Sequence, residues 1–310
     1  MLRPSRYLRI SITNRCNLSC RYCHQEGYHA SNIYELQPME IETACKAALE
    51  MGFHKFKLTG GEPTMRNDLC EIITRLARLE LPDLSMITNG ILLSEQAGDI
   101  WRAGLRRLNI TLNTLNQSRF QDMQTAKAVS VFKVLEGIES AKSVGFQNIK
   151  LNFVYRGIDS RQDLEELLQY ARESGLILVV LPIIGEQFGY VTLDDLYFLM
   201  RNYGIESEHK LIDAEGISKI LIRLSSGTHV LLRCDELAQR KPYVFCNQCV
   251  SRSNCREGIF PIRLSAGGDI IPCMASNENR ITIRSYLARG DIEQVKKVFS
   301  TINGWYSKSE

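Results

Sequence analysis

Lys55-Phe56-Lys57-Leu58-Thr59-Gly60-Gly61-Glu62-Pro63 alternates charged and apolar residues and then breaks at two glycines and a proline, so it reads as a strand running into a turn. Asn67 to Leu79, just beyond it, spaces its apolar residues for one face of a helix, and Leu84 to Thr88 is strand-like again. A strand, a crossover helix and a second strand within roughly 30 residues is the repeating unit of a parallel sheet.

The same alternation extends in both directions. Further strands are predicted over Tyr7 to Thr13, Arg107 to Leu112, Asn148 to Val154 and Leu176 to Leu181. Helices are predicted over Pro38 to Met51, Ser94 to Ala103, Val129 to Val144, Arg161 to Ser174 and Leu193 to Asn202. Several of them stop at a glycine, at Gly52, Gly104, Gly145 and Gly175, as left-handed helix ends require. Six units predict an α/β fold, a partial (β/α)6 TIM-like barrel rather than a closed eight-unit one, with function at the carboxyl ends of the strands. After about residue 205 the alternation weakens, and Lys219 to Leu224 with Thr228 to Leu232 look like a hairpin around Ser225-Ser226-Gly227. The expected division is therefore a barrel over 1–205 and a small C-terminal domain over 206–310.

Composition narrows the class. With 310 residues, 44% hydrophobic and 24% charged, the chain can bury a sizeable core, which excludes a disordered or collagen-like protein. A net charge of +3 without a basic run excludes a typical nucleic-acid binder or a membrane-surface protein. No stretch of 18 apolar residues occurs, and the N-terminal segment lacks the apolar core of a signal peptide, so the expected location is the cytoplasm. Ten cysteines in a reducing compartment point to metals or catalysis rather than a disulfide framework.

Seven of those ten are clustered. Cys16, Cys20 and Cys23 follow the first strand with spacings of three and two, while Cys246, Cys249, Cys255 and Cys273 form a second group; Cys45, Cys70 and Cys234 stand alone as small buried hydrophobes. Three thiolates on a loop leaving a strand can hold three irons of a [4Fe-4S] cubane and leave the fourth open to a substrate. A zinc site completed by His24 is the alternative. The second group, with its C-x2-C pair, suits a second [4Fe-4S] cluster or a zinc ion equally by spacing.

Leu8 to Cys23, with its Cys16-x3-Cys20-x2-Cys23 core, resembles the cluster-binding loop of the radical S-adenosylmethionine (SAM) superfamily, and Thr59-Gly60-Gly61-Glu62-Pro63 resembles its second motif. Within that superfamily the chain is most similar to the molybdenum-cofactor GTP 3',8-cyclase-like group. That likeness rests on Leu58 to Arg66, Ile87-Thr88-Asn89-Gly90, Ile110 to Leu115 and Ile149 to Asn152 with Arg156-Gly157. The Cys255 to Cys273 stretch resembles the auxiliary-cluster regions called SPASM and twitch.

The resemblance implies that Cys16, Cys20 and Cys23 ligate the cluster, that SAM is cleaved there to a 5'-deoxyadenosyl radical, and that this radical takes hydrogen from a substrate. It implies that Tyr22 touches the adenine, that Gly60 and Gly61 meet the methionyl ammonium, and that Glu62, Thr88 and Thr111 complete the SAM site. Asn113 stands two positions on, where an aspartate is usual. Cys246, Cys249, Cys255 and Cys273 would hold the auxiliary metal, all four closing it or three leaving an iron open. The pair lies further upstream than in the cyclase group, Cys255 is additional, and the terminal Lys308-Ser309-Glu310 lacks the cyclase's double glycine; these departures set the chain apart from that group's purine-binding pattern.

Arg9, Lys57, Lys150 and Arg263 match or replace cations that hold an anionic substrate there. The competing arrangement has Lys57 and Lys150 pointing outward to helices and pairing with carboxylates. The expected substrate is an anionic small molecule, a nucleoside, nucleotide or sugar-acid derivative, and the expected electron donor is a flavodoxin or ferredoxin. A maturase acting on a ribosomal peptide and a zinc-stabilised scaffold are the alternatives. No residue is assigned to the chemistry on the substrate itself.

Overall fold

The computed structural model describes residues 6–24, 34–124, 129–183, 191–212, 218–233, 243–250, 261–273 and 279–305; Cys234, Cys255 and the Lys308 to Glu310 terminus lie outside them. The chain begins β1 (Tyr7–Ser11), α1 (Pro38–Glu50), β2 (Lys55–Thr59), α2 (Leu69–Arg78), β3 (Leu84–Thr88), α3 (Leu93–Arg102) and β4 (Arg107–Thr111). It continues through α4 (Gln117–Asp122), α5 (Val131–Ser143), β5 (Asn148–Tyr155), α6 (Arg161–Ser174), β6 (Ile177–Pro182) and α7 (Leu193–Arg201). The remainder is β7 (Ile205–Ile212), β8 (Ser218–Leu224), β9 (His229–Arg233), β10 (Ile262–Leu264), β11 (Asp269–Ile271), β12 (Ile281–Thr282), α8 (Arg284–Ala288) and α9 (Ile292–Gly304).

All described strands join one sheet, ordered β12-β11-β10-β1-β2-β3-β4-β5-β6-β9-β8-β7. The six strands from β1 to β6 are parallel and consecutive, which is the partial barrel that the alternation predicts. The expected hairpin forms between β8 and β9, and β9 also pairs in parallel with β6. At the other edge β10 pairs in parallel with β1. Strands from beyond residue 205 thus extend the barrel wall on both sides.

Strand alternation divides the wall into two faces. Leu8, Ile10, Phe56, Leu58, Met86, Leu108, Ile110, Ile149 and Leu151 are fully or almost fully buried in one cluster with helix residues such as Ile41, Ile72, Ile100, Ile138 and Leu164. Removing such surface from water is the main stabilising term of the fold. The opposite, inward face carries Tyr7, Arg9, Lys55, Lys57, Asn109, Lys150 and Asn152, aligned by register.

Strands β10 to β12 and helices α8 and α9 were not among the predicted elements, and α4 and β7 escape a reading by periodicity as well. Helix α4 has six residues, too few to show a 3.6 period, and depends on its cap: the Asn116 side chain accepts from Arg119 N at 3.0 Å. Strand β7 is Ile-Glu-Ser-Glu-His-Lys-Leu-Ile at the sheet edge, mostly exposed and therefore without an apolar stripe.

Candidate active site

The cysteine loop leaves the carboxyl end of β1. Cys16 and Cys23 are exposed and Cys20 is half-buried. Cys23 N donates to Cys20 O at 3.1 Å, closing a turn that brings the two cysteines together, and Leu18 N donates to Cys16 Sγ at 3.4 Å. Although the residue as a whole is exposed, the protein around its sulfur displaces water and, with Glu62, Cys20 and Cys23 close by, pushes the Cys16 thiol up to about 11. A thiol so raised ionises readily only beside a cation, which an iron centre would supply. Three thiols on one rim loop are the donor set an iron-sulfur cluster takes, although among the described residues no three metal-binding side chains stand together as a formed centre.

Backbone contact explains the glycine pair after β2. Gly61 N donates to Thr13 O and Glu62 N to Arg15 O, both at 2.7 Å. A Cβ on Gly60, whose φ is 140°, would lie 2.3 Å from Thr13 O, and one on Gly61 would lie 2.1 Å from Arg15 O. The two loops meet main chain to main chain, so the close approach that demands glycine is made by the cysteine loop itself.

Glu62 is 1% exposed and accepts from Thr64 N at 3.1 Å, Thr64 Oγ1 at 2.6 Å, Thr88 Oγ1 at 2.6 Å and Asn89 N at 2.7 Å. Burial raises its carboxyl above the usual range, and these four donors oppose the rise. Thr88 Oγ1 also accepts from Gly90 N at 3.0 Å, and Asn89 Nδ2 donates to Asn17 Oδ1 at 2.7 Å, which links the end of β3 to the cysteine loop. Buried Arg66 donates to Ile12 O at 2.6 Å and Leu36 O at 2.9 Å while forking onto Asp68 at 2.7 and 2.5 Å, and this pairing holds the Asp68 carboxyl below its ordinary range.

On the far side of the rim, Asn113 donates through Nδ2 to the Tyr22 hydroxyl and accepts from Val154 N at 2.7 Å. The amide thus ties the cysteine loop to β5, using a donor and an acceptor at once, which a carboxylate cannot do. Burial and the adjoining Cys20 raise the Tyr22 phenol well above its usual range. Thr111 ends β4, half-buried, beside Asn152 in the register of β5.

Register also assembles the predicted cations. Arg9 stands between Lys57 and Arg263, and Lys150 pairs with Asn109. Lys57 Nζ donates to Asn109 Oδ1 at 3.4 Å, and Asn109 Nδ2 donates to Asn152 Oδ1 at 3.1 Å. Lys57 and Lys150 therefore lie on the inward face, not against the helices. Burial, with the charges of Arg9 and Lys55, lowers Lys57 to about 8, against the opposing pull of Tyr7; burial with Arg107, Lys219 and Lys55 lowers Lys150. Tyr7 receives Arg9 Nη1 at 3.3 Å and carries the Lys55 ammonium 4.6 Å over its ring. Burial works against its ionisation, yet Lys57, Arg9 and Lys55 bring its phenol down to about 8. Arg107 adds a cation to this face and pairs with Asp83.

Tyr7, Asn109 and Asn152 were not among the predicted residues, although counting by twos from Arg9, Lys57 and Lys150 reaches the face they share. Asn17, Arg66 and Gln124 carry no such local signal.

The second cysteine group divides. Cys246 and Cys273 are buried and Cys249 is half-buried. Cys249 N donates to Cys246 O at 3.3 Å, the same turn as at Cys20 and Cys23. Cys273 follows β11, which runs antiparallel to β10, so it leaves the sheet at the end where β1 begins. A five-residue strand rises about 3.3 Å per residue, so roughly 15 Å of polar interior separates that end from the Cys16 loop. Cys255 lies outside the described residues. Among the described residues, no helix is long and apolar enough to cross a membrane.

Known proteins are similar in sequence and in fold. The sequence profile of the Radical SAM superfamily matches residues 10–171, from β1 to α6. The protein of Methanocaldococcus jannaschii described as a probable GTP 3',8-cyclase is 33% identical over 297 residues, 93% of this chain and 91% of its own length. Its counterpart from Sulfurisphaera tokodaii, described likewise, is 34% identical over 298 residues, 94% and 88% of the two chains. Among solved structures, SuiB of Streptococcus suis bound to S-adenosylmethionine covers 100% of this chain and 68% of its own with a TM-score of 0.65 at 16% identity. Native anSMEcpe with bound AdoMet covers 94% and 82% with a TM-score of 0.59 at 14% identity, and both share the fold. By its cysteine loop, its glycine turn, its partial barrel and these likenesses, the chain belongs to the radical SAM superfamily.

Proposed function

We propose that this radical SAM enzyme abstracts hydrogen from an anionic small molecule of the nucleotide class held inside the barrel. Cys16, Cys20 and Cys23 ligate the [4Fe-4S] cluster in this reading. Bound there with SAM, the cluster supplies the reductive cleavage that gives a 5'-deoxyadenosyl radical. Tyr22, Gly60, Gly61, Glu62, Thr88, Thr111 and Asn113 shape the SAM site, several of them by fixing the loop rather than by touching the cofactor.

The observation that carries the substrate reading is the inward row of Arg263, Arg9 and Lys57, with Lys150 across the interior. Lys57 loses part of its affinity for a proton because it is buried among like charges, and an anion arriving there recovers that electrostatic cost. Relatives described as probable GTP 3',8-cyclases support a nucleotide. Segment 206–310, in the same reading, supplies an auxiliary metal through Cys246, Cys249 and Cys273, with Cys255 as the fourth thiolate, as a second [4Fe-4S] cluster rather than zinc. A flavodoxin or ferredoxin delivers the electron.

The test is anaerobic incubation of the reconstituted enzyme with SAM and a reductant, adding GTP, other nucleotides, sugar acids or candidate peptides in separate reactions. Deoxyadenosine formation stimulated by a nucleotide is the expected result. Stimulation by a peptide alone overturns the small-molecule reading in favour of a maturase.

A further inference from the structure

The two residues after helix α4 meet the cysteine loop at its middle ligand. Ser19 N donates to Gln124 Oε1 at 3.1 Å, Arg21 N donates to Met123 O at 3.1 Å, and Cys20 pairs with Gln124 in an isolated antiparallel bridge. The amides on either side of Cys20 are thus both held by one dipeptide. Gln124 is only 7% exposed, a polar side chain buried where its carbonyl oxygen takes a loop amide.

This platform is braced from behind. Arg119, within α4, donates through Nε to Asp163 at 2.7 Å and through Nη2 to both oxygens of Glu166 at 2.8 Å. The Asp163 side chain is 1% exposed and also receives Arg156 Nη2 at 3.1 Å. A six-residue helix is not stable alone, so these ion pairs to α6 set where Met123 and Gln124 stand.

We infer that Gln124 is a positioning residue for Cys20, holding the middle thiolate of the loop in place for iron, with Arg119 as the brace that keeps Gln124 at that height. The inference rests on the reading of Cys20 as a cluster ligand. Its physical basis is that a metal ligand works only within a narrow range of positions, and groups behind the ligand supply that restriction. Without the Gln124 carbonyl the Ser19 amide loses this bond to the platform, and the backbone at Cys20 gains conformations in which the thiolate points away from the metal.

Two substitutions separate the contact from the bulk of the side chain. Gln124→Met keeps the volume and removes the acceptor, whereas Gln124→Glu keeps an acceptor oxygen at the same reach. After anaerobic reconstitution, Gln124→Met is expected to release iron to EDTA on the order of tenfold faster than the parent and to show a shifted electron paramagnetic resonance spectrum of the reduced cluster. Gln124→Glu should stay close to the parent in both, and Arg119→Gln should move both in the direction of Gln124→Met, with circular dichroism losing at most the contribution of the one short helix.

Faster iron release and a shifted spectrum in Gln124→Met with parental values in Gln124→Glu support the inference; equal changes in both overturn it, as does a parental release rate and spectrum in Gln124→Met. If the parent itself takes up no iron and sulfide, the cluster reading has failed, a result distinct from either.

Discussion

Gly61 and Arg15 are in main-chain contact: a Cβ added to Gly61 would lie 2.1 Å from the Arg15 carbonyl oxygen. The turn after β2 and the cysteine loop after β1 are consequently one rigid unit, joined by the hydrogen bonds from Gly61 N to Thr13 O and from Glu62 N to Arg15 O.

Gly61→Ala must push the loops apart. Losing two such hydrogen bonds is expected to cost about 2 kcal/mol of stability, since each is worth roughly 1 kcal/mol net. The thermal midpoint of the metal-free chain should fall, and iron uptake on reconstitution should fall with it. An unchanged midpoint and full uptake would show that the loops yield without cost.

Glu62→Gln tests the four-donor carboxylate. An amide presents an NH2 group to donors that both carboxylate oxygens now accept, so at least one of Thr64, Thr88 and Asn89 loses its partner. The expected loss is about 2 kcal/mol by chemical denaturation, within the range for unsatisfied buried groups. Thr88→Val, which removes one donor only, should cost less.

Lys57 and Tyr7 make the interior pH-sensitive in a window set by their values near 8, below their ordinary 10.5 and 10.0. Between about pH 8 and 10 the unfolded chain binds more protons than the folded one, so stability rises with pH across that window. Affinity for a nucleotide triphosphate should move the other way, because the pocket loses positive charge. Equilibrium binding of GTP at about pH 7 and 9 reads the second effect, and Lys57→Met should flatten its slope.

Iron analysis separates the two cysteine groups. The parent should carry about eight iron and eight sulfide per chain, two cubanes' worth. Cys20→Ala should leave about half of the iron and abolish deoxyadenosine formation, whereas Cys249→Ala should also halve the iron yet retain SAM cleavage. Deoxyadenosine formation surviving in Cys20→Ala would remove the catalytic assignment of the first group.

The alternation of β1 to β6 with α1, α2, α3, α5, α6 and α7, the open barrel and the β8–β9 hairpin were legible in the sequence, as was the spacing of the first cysteine group; α4, β7, β10 to β12, α8 and α9 were not read from it. These features are written in short-range patterns: side-chain alternation along Lys55 to Thr59, helix stops at Gly52 and Gly175, and ligand spacing within a single loop. Their physical causes act over a few residues, so the linear chain carries them.

Tertiary structure decided the rest. Arg9, Lys57 and Arg263 become neighbours only through the parallel registers of β1 with β2 and β10, and Lys57 reaches Asn109 two strands along the barrel wall. Gln124 finds Ser19, 105 positions away, because Arg119 anchors a short helix to α6. Strand β7 hides its place at the sheet edge behind a charged sequence that is exposed from Glu208 to Leu211. Contacts between distant segments depend on register and on how helices seat against the wall, and no local period encodes either. The sequence alone determined that three thiols would share one loop; the packing of β2, β3, α4 and β5 around that loop determined how firmly it is held.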